Sequence, residues 1–160
     1  MPRLGPLALA LCLAPCLPGA PALSQPASAP SPPLSVKETM RHVVNPAAER
    51  FWKTSGSVST EAGVEERAPT SDAAWAEMVD AAAIVQAAGE LLETPGHGPD
   101  DPAWRRYARQ LADAGAASIT AARAKDADKV FEAGGEIYNA CFNCHGRYIP
   151  RPANSLWKQP

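Results

Sequence analysis

From Leu34 onward apolar side chains recur at helical spacing in four separate stretches, and the alternation that marks strands is nearly absent. The first stretch opens with Ser35-Val-Lys-Glu38, a capping box in which hydroxyl and carboxylate satisfy the first unpaired N–H groups. Val36, Met40, Val43, Val44, Ala47 and Phe51 then share one face, and Gly56 stops the helix. Pro46 lies inside this run and offers no N–H to the His42 carbonyl, which predicts a kink, with Asn45 re-capping the chain. Residues 55 to 70 are polar and show no periodicity, so they read as a connection. A second helix is expected from Ser71 or Asp72, with Trp75, Met78, Ala82, Val85, Gly89 and Leu92 as its seam. Thr94-Pro-Gly-His-Gly-Pro99 breaks it. Asp101 caps a third helix with Pro102 in its first position, and Trp104, Ala108, Leu111, Gly115 and Ile119 form its stripe. A fourth begins near Asp126 and places Phe131, Gly134, Tyr138, Cys141 and His145 on one face, ending at Pro150 and Pro152. Four such helices of roughly 15 to 25 residues predict an all-α, antiparallel four-helix bundle. Its core is rich in alanine and poor in large side chains, which leaves volume for an internal cofactor.

Composition narrows the picture. The chain has 160 residues, 15 Lys+Arg and 17 Asp+Glu, for a net charge of −2. That length suits one domain, and no basic block marks a nucleic-acid binder. No apolar run reaches the ~18 residues a membrane span needs. Residues 1–22 read as an export signal: Arg3 is the positive start, Leu7 to Leu17 the apolar stretch, and Ala20-Pro21-Ala22 the cleavage site. Residues 23–34, rich in Pro, Ala and Ser, are expected to be a disordered leader. The bundle domain is expected over 35–152, with a tail at 153–160. Loss of the signal removes Cys12 and Cys16 and takes the net charge from −2 to −3. Export implies the periplasm, an oxidising compartment in which the remaining Cys141 and Cys144 would form a disulfide unless something occupied them.

Those two cysteines belong to Cys141-Phe142-Asn143-Cys144-His145, the C-x-x-C-H pattern of covalent haem attachment. With this composition, chance supplies such a pattern on the order of 0.002 times, so coincidence is a poor account. Two thiols three residues apart on a helix lie on one side, where each can add to a vinyl group of one porphyrin. His145 then directs its imidazole at the iron. The rivals fit less well. A thioredoxin-like pair needs a βαβ context, structural zinc needs four ligands, and a disulfide across so small a loop stabilises little. A haem-free helical binding module with a Cys141–Cys144 disulfide is the reading that remains if no haem is present.

The segment Ser35 to Trp52, together with Tyr138…Cys141-x-x-Cys144-His145-x-x-Tyr148 close to the C-terminus, resembles the class II c-type cytochromes. The resemblance implies a four-helix bundle holding one haem c through its last helix. It also implies one of two roles. In the low-spin members a Met of the first helix completes the iron and the protein carries single electrons between redox partner proteins. In cytochrome c-prime the sixth position is open and takes small gases such as NO or CO.

Met40, one turn into the first helix and on its apolar face, stands where the low-spin members place their Met, and it is expected to be the distal ligand. Core filling is the plainer role for any Met in such a stripe, and it is the role expected of Met78. His42 points away from Met40 around the helix and is expected at the surface; His97 lies in the Pro/Gly break. Phe131, Tyr138 and Tyr148 are expected to line or cover the macrocycle, with Trp52, Trp75 and Trp104 as further candidates. Arg147 and Arg151 flank the attachment site, where propionate pairing competes with simple solvation. The Gly134-Gly135 pair weakens the fourth helix, which fits either close approach of the porphyrin or of the first helix or a merely tolerated weak spot. No catalytic residue is assigned, since electron transfer needs no substrate chemistry. The family often forms homodimers, though no interface signature is visible in the sequence.

Overall fold

The computed structural model describes residues 33–149. The expected signal peptide, most of the leader, Arg151 and the tail lie outside these residues. The described chain folds as α1 (Val36–Thr39), a π-helical turn (Met40–Val44), α2 (Asn45–Lys53), a hairpin of β1 (Gly56–Thr60) and β2 (Gly63–Arg67), then α3 (Asp72–Glu93), α4 (Pro102–Arg123) and α5 (Ala127–Tyr148). Counting α1 through α2 as one interrupted helix, four helices pack against each other.

Each helix starts where the sequence places a cap. The Ser35–Glu38 box forms in full, and Ser71, Asp101 and Asp126 accept from the N–H groups of Ala74, Ala103 and Lys129. The fourth helix stops at Tyr148, and Ile149, which precedes Pro150, is extended. The irregularity expected at Pro46 is present: the preceding turn widens, and the Asn45 N–H bonds back to the Met40 carbonyl. The extra residue in that turn absorbs the missing N–H and the bulk of the proline ring. The Asn45 side chain caps nothing; it donates to Glu49 at 2.7 Å.

The polar connection at 55 to 70 is likewise more ordered than its lack of periodicity suggests. Its two strands pair antiparallel with Thr60 opposite Gly63, so Glu61 and Ala62 form the turn. The Thr60 hydroxyl organises it, accepting from the Ala62 N–H and donating to the Gly63 carbonyl. Both strands are exposed on most positions, which removes the alternation by which strands are recognised.

Cross-helix contacts define the direction of each element. Trp104 near the start of α4 bonds to Leu92 near the end of α3, Tyr148 at the end of α5 bonds to Asp101 at the start of α4, and Lys125 after α4 pairs with Asp72 at the start of α3. Neighbouring helices therefore run antiparallel. The α3–α4 seam is the tightest. A Cβ added at Gly89 would stand 2.5 Å from the Ala112 nitrogen, and one at Gly115 2.5 Å from the Gln86 nitrogen. Backbone meets backbone at both crossings. Phe51, Met78, Ile137, Val85 and Val130 are the largest apolar side chains fully inside.

In α5 the inward stripe is Val130, Ala133, Gly134, Ile137 and Ala140. Phe131 and Tyr138, expected on the buried face, are 61% and 58% exposed. Packing followed the aliphatic and small residues one position away, because α5 comes close to α2 there. Gly134 lies beneath Phe51 and Trp52, and the Trp52 indole donates to its carbonyl at 3.0 Å. The close approach suggested by Gly134-Gly135 is thus that of the first helix at Gly134, whereas Gly135 faces open space.

Candidate functional site

The interrupted first helix and α5 meet closely at Trp52 and Gly134 but part toward the other end of the bundle, where a cleft opens. It has two lobes, of about 310 and 520 Å³. Met40, Trp104, Cys144 and His145 line both. Val44 and Ala48 form the first-helix wall, Leu92, Ala108 and Leu111 the floor, and Ala140 and Cys141 the α5 side. Alanine at 48, 108 and 140 is what leaves room: each faces the space with a single methyl group. Volumes of this size, with mostly apolar walls and a few polar atoms, are those of small-molecule and cofactor sites.

The chemistry-bearing side chains converge here. Cys141 and Cys144 are both free thiols, half-buried on consecutive turns of α5. Burial pushes the Cys141 thiol up and the Cys144 thiol to about 11, with the neighbouring Cys141 adding to the effect. Both are therefore protonated at neutral pH. Loss of solvent around the His145 ring lowers its pKa, which favours the neutral imidazole that can donate a lone pair to a metal. His145 keeps one edge exposed to solvent while lining the cleft.

The aromatic frame is only partly the expected one. Tyr138 lines the smaller lobe and stacks on exposed Phe142, with ring centroids 6.1 Å apart. Tyr148 lines the larger lobe and meets Trp104 edge-on at 5.1 Å. Trp52 lines the smaller lobe. Phe131 does not reach the cleft. It lies ten residues, roughly 15 Å, up α5 from Cys141 and packs beside Gly56 of the hairpin. Trp75 packs half-buried against the core away from the cleft, and Met78 is a core side chain with 1% of its surface exposed. His42 is exposed, as its helical phase requires.

Two contributions were not visible in the sequence. Tyr107 lines the smaller lobe, and its position three residues after Trp104 is the signal that could have found it. His97 is not a passive loop residue: its Nε2 is 3.1 Å from the hydroxyl of the buried Thr39. No local pattern announces a contact across 58 residues.

A charged cluster ties Tyr148, which lines the larger lobe, to the start of α4. Asp101 accepts from the Tyr148 hydroxyl, from Arg147 at 3.3 Å and from the Ala103 N–H at 2.8 Å. These bonds, the tyrosine's first, hold the Asp101 carboxyl below its ordinary range. Arg147 is thus engaged by a protein carboxylate. Among the described residues no three His, Cys, Asp or Glu side chains gather as a metal-binding set. Nor is any described helix long and apolar enough to cross a membrane.

Two free thiols, an adjoining neutral imidazole and a facing thioether, all on the wall of an apolar cleft, can hold a flat apolar group that carries electrophilic arms and a central metal. Comparison of the chain with protein-family models, with curated proteins and with solved structures found no match.

Proposed function

We propose that this chain is an exported monohaem c-type cytochrome that carries single electrons, similar to the low-spin class II cytochromes. The observation that carries the reading is the convergence of Cys141, Cys144, His145 and Met40 on one apolar cleft. The residues fit the group. Cys141 and Cys144 would hold it as thioethers, each S–H added across one vinyl double bond, and His145 and Met40 would supply the nitrogen and sulfur donors to its iron. Bound in this way, the haem supplies a metal centre that takes up and releases one electron.

The chain's own residues do the rest. Leu92, Trp104 and Leu111 exclude water from the cleft and so lower the local dielectric, which penalises the more highly charged redox state. A thioether at the distal position favours the reduced iron in the same direction. Stacked Tyr138 and Phe142 stand exposed at the mouth, where a redox partner protein would meet the site. The proposed role is electron transfer and not substrate turnover. The expected periplasmic location follows from the export signal read in residues 1–22.

The test is the absorption spectrum of the protein purified after export, in both oxidation states. A low-spin haem c spectrum is expected, converted to high-spin by Met40→Ala. Absence of a haem band would overturn the cytochrome and leave a haem-free binding module. A haem band already high-spin when reduced, and shifted completely by CO, would replace the Met40 assignment with the open site of a gas-binding cytochrome c-prime.

A further inference from the structure

Thr39 is wholly buried, although it sits in a helical segment of only four residues. One turn of helix has no stability of its own, and the π-helical turn that follows is a poorer geometry still. Its capping box and its continuation into α2 support it locally, and one side-chain bond ties it to another part of the fold. The Thr39 hydroxyl reaches Nε2 of His97 at 3.1 Å, and His97 belongs to the loop between α3 and α4. That loop is firmly seated. The His97 N–H donates to the Thr94 carbonyl at 3.1 Å. Gly98 lies so near the Trp104 indole that no side chain would fit between them, and Trp104 is itself fixed by its 2.7 Å bond to the Leu92 carbonyl. Met40 follows Thr39 directly, and both Met40 and Trp104 line the two lobes of the cleft.

We infer that His97 is a positioning residue: through Thr39 it anchors the start of the first helix to the α3–α4 loop, keeps Met40 in the cleft, and so sets how often the sixth iron position opens to a small gas ligand. The inference rests on the Met40 ligation proposed above. His97 does not line the cleft and acts only through the hydroxyl. Loss of one such hydrogen bond changes an opening equilibrium by roughly 2- to 13-fold, and fivefold is the central expectation.

Three variants of the haem-loaded protein test this. Thr39→Val keeps the shape of the buried side chain and deletes its hydroxyl. His97→Leu deletes the ring nitrogen, and His97→Gln keeps a polar atom at nearly the same reach. The readouts are the rate of CO binding to the reduced protein, which follows the fraction of time Met40 is off the iron, and amide hydrogen exchange over Met40–Asn45. Thr39→Val and His97→Leu are expected to raise both by roughly fivefold with the far-ultraviolet circular dichroism unchanged, while His97→Gln stays close to the unaltered protein. A slowly reacting unaltered protein whose variants bind CO no faster, or exchange no faster, overturns the anchor and leaves Met40 as ligand. An unaltered protein that binds CO fully and at once overturns the Met40 ligation, and the anchor's role with it.

Discussion

Alanine in place of Gly115 and alanine in place of Gly135 should move stability in opposite directions, although both glycines lie inside long helices. At Gly115 the new Cβ would stand 2.5 Å from the Gln86 nitrogen, against an ordinary contact that begins near 3.4 Å. The obstacle is backbone, which has no rotamer to change, so α3 and α4 must part by about 0.9 Å along the tightest seam of the bundle. Overpacking of this kind costs about 1–3 kcal/mol. The better helix propensity of alanine returns about 1 kcal/mol, and the net expectation is a loss of up to ~2 kcal/mol, centred near ~1 kcal/mol. At Gly135 nothing lies within 4 Å, so only the propensity gain of up to ~1 kcal/mol operates. Urea unfolding of the haem-loaded proteins, followed by far-ultraviolet circular dichroism, reads the difference as a lower midpoint for G115A and a higher one for G135A. Heating should show the same order, with Tm displaced by roughly 4 °C for each kcal/mol. A G115A protein as stable as G135A would refute the claim that α3 and α4 meet backbone to backbone. Gly89→Ala, whose Cβ would stand 2.5 Å from the Ala112 nitrogen, checks the same seam from the other helix.

Three further outcomes follow from the site. In chain made without haem, alkylation of Cys144 by iodoacetamide should be slow at neutral pH and keep accelerating as pH rises toward its thiol value of about 11; a rate that levels off by pH 9 would show a solvated thiol instead. Asp101, held below its ordinary value of 3.8 chiefly by the Tyr148 hydroxyl, contributes stability that is present above that pH and lost as pH falls through the lowered value. Asp101→Asn should therefore reduce the loss of Tm between pH 5 and pH 3, and an unchanged loss would show that the Asp101 contacts carry none of the acid sensitivity. Trp52→Phe deletes the donor to the Gly134 carbonyl and should cost about 1 kcal/mol in the same urea experiment; no loss would mean that α2 and α5 are held at that point by packing alone.

What the chain discloses in advance depends on how local the cause is. Capping at Ser35, Ser71, Asp101 and Asp126 is decided by bonds within three residues, and all four helix starts were legible. The seams of α3 and α4 were legible because Met78, Val85, Leu92, Trp104 and Leu111 are large and regularly spaced. Phe131 and Tyr138 misled for the opposite reason. Size suggested burial, but the face of α5 was selected by its need to approach α2 at Gly134, a distant partner that no window of the sequence contains. The hairpin escaped notice since neither of its faces is buried enough to impose alternation. Of the residues on the cleft, Cys141, Cys144 and His145 are singled out in the sequence by their spacing alone, whereas Tyr107 and the Thr39–His97 bond depend on how helices come together.

The position of the cleft follows from the same distribution of small residues. Between α3 and α4, Gly89 and Gly115 allow the backbones to touch, so that pair leaves no room for a guest. Between the first helix and α5 a single glycine, Gly134, permits contact, and it lies near the start of α5 where Trp52 can bond across. Toward the C-terminal end of α5 the facing residues are alanines, Ala48 and Ala140, with Ala108 beneath them. Alanine is too small to fill the space between helices and too large to let their backbones meet. A bundle closed at one end by Gly134 and lined at the other by alanine must gape where Cys141, Cys144 and His145 stand. Alanines fill the core along the whole bundle, but at this end Ala48, Ala108 and Ala140 border open space instead of one another, and a flat cofactor held there would complete the packing as well as supply its chemistry.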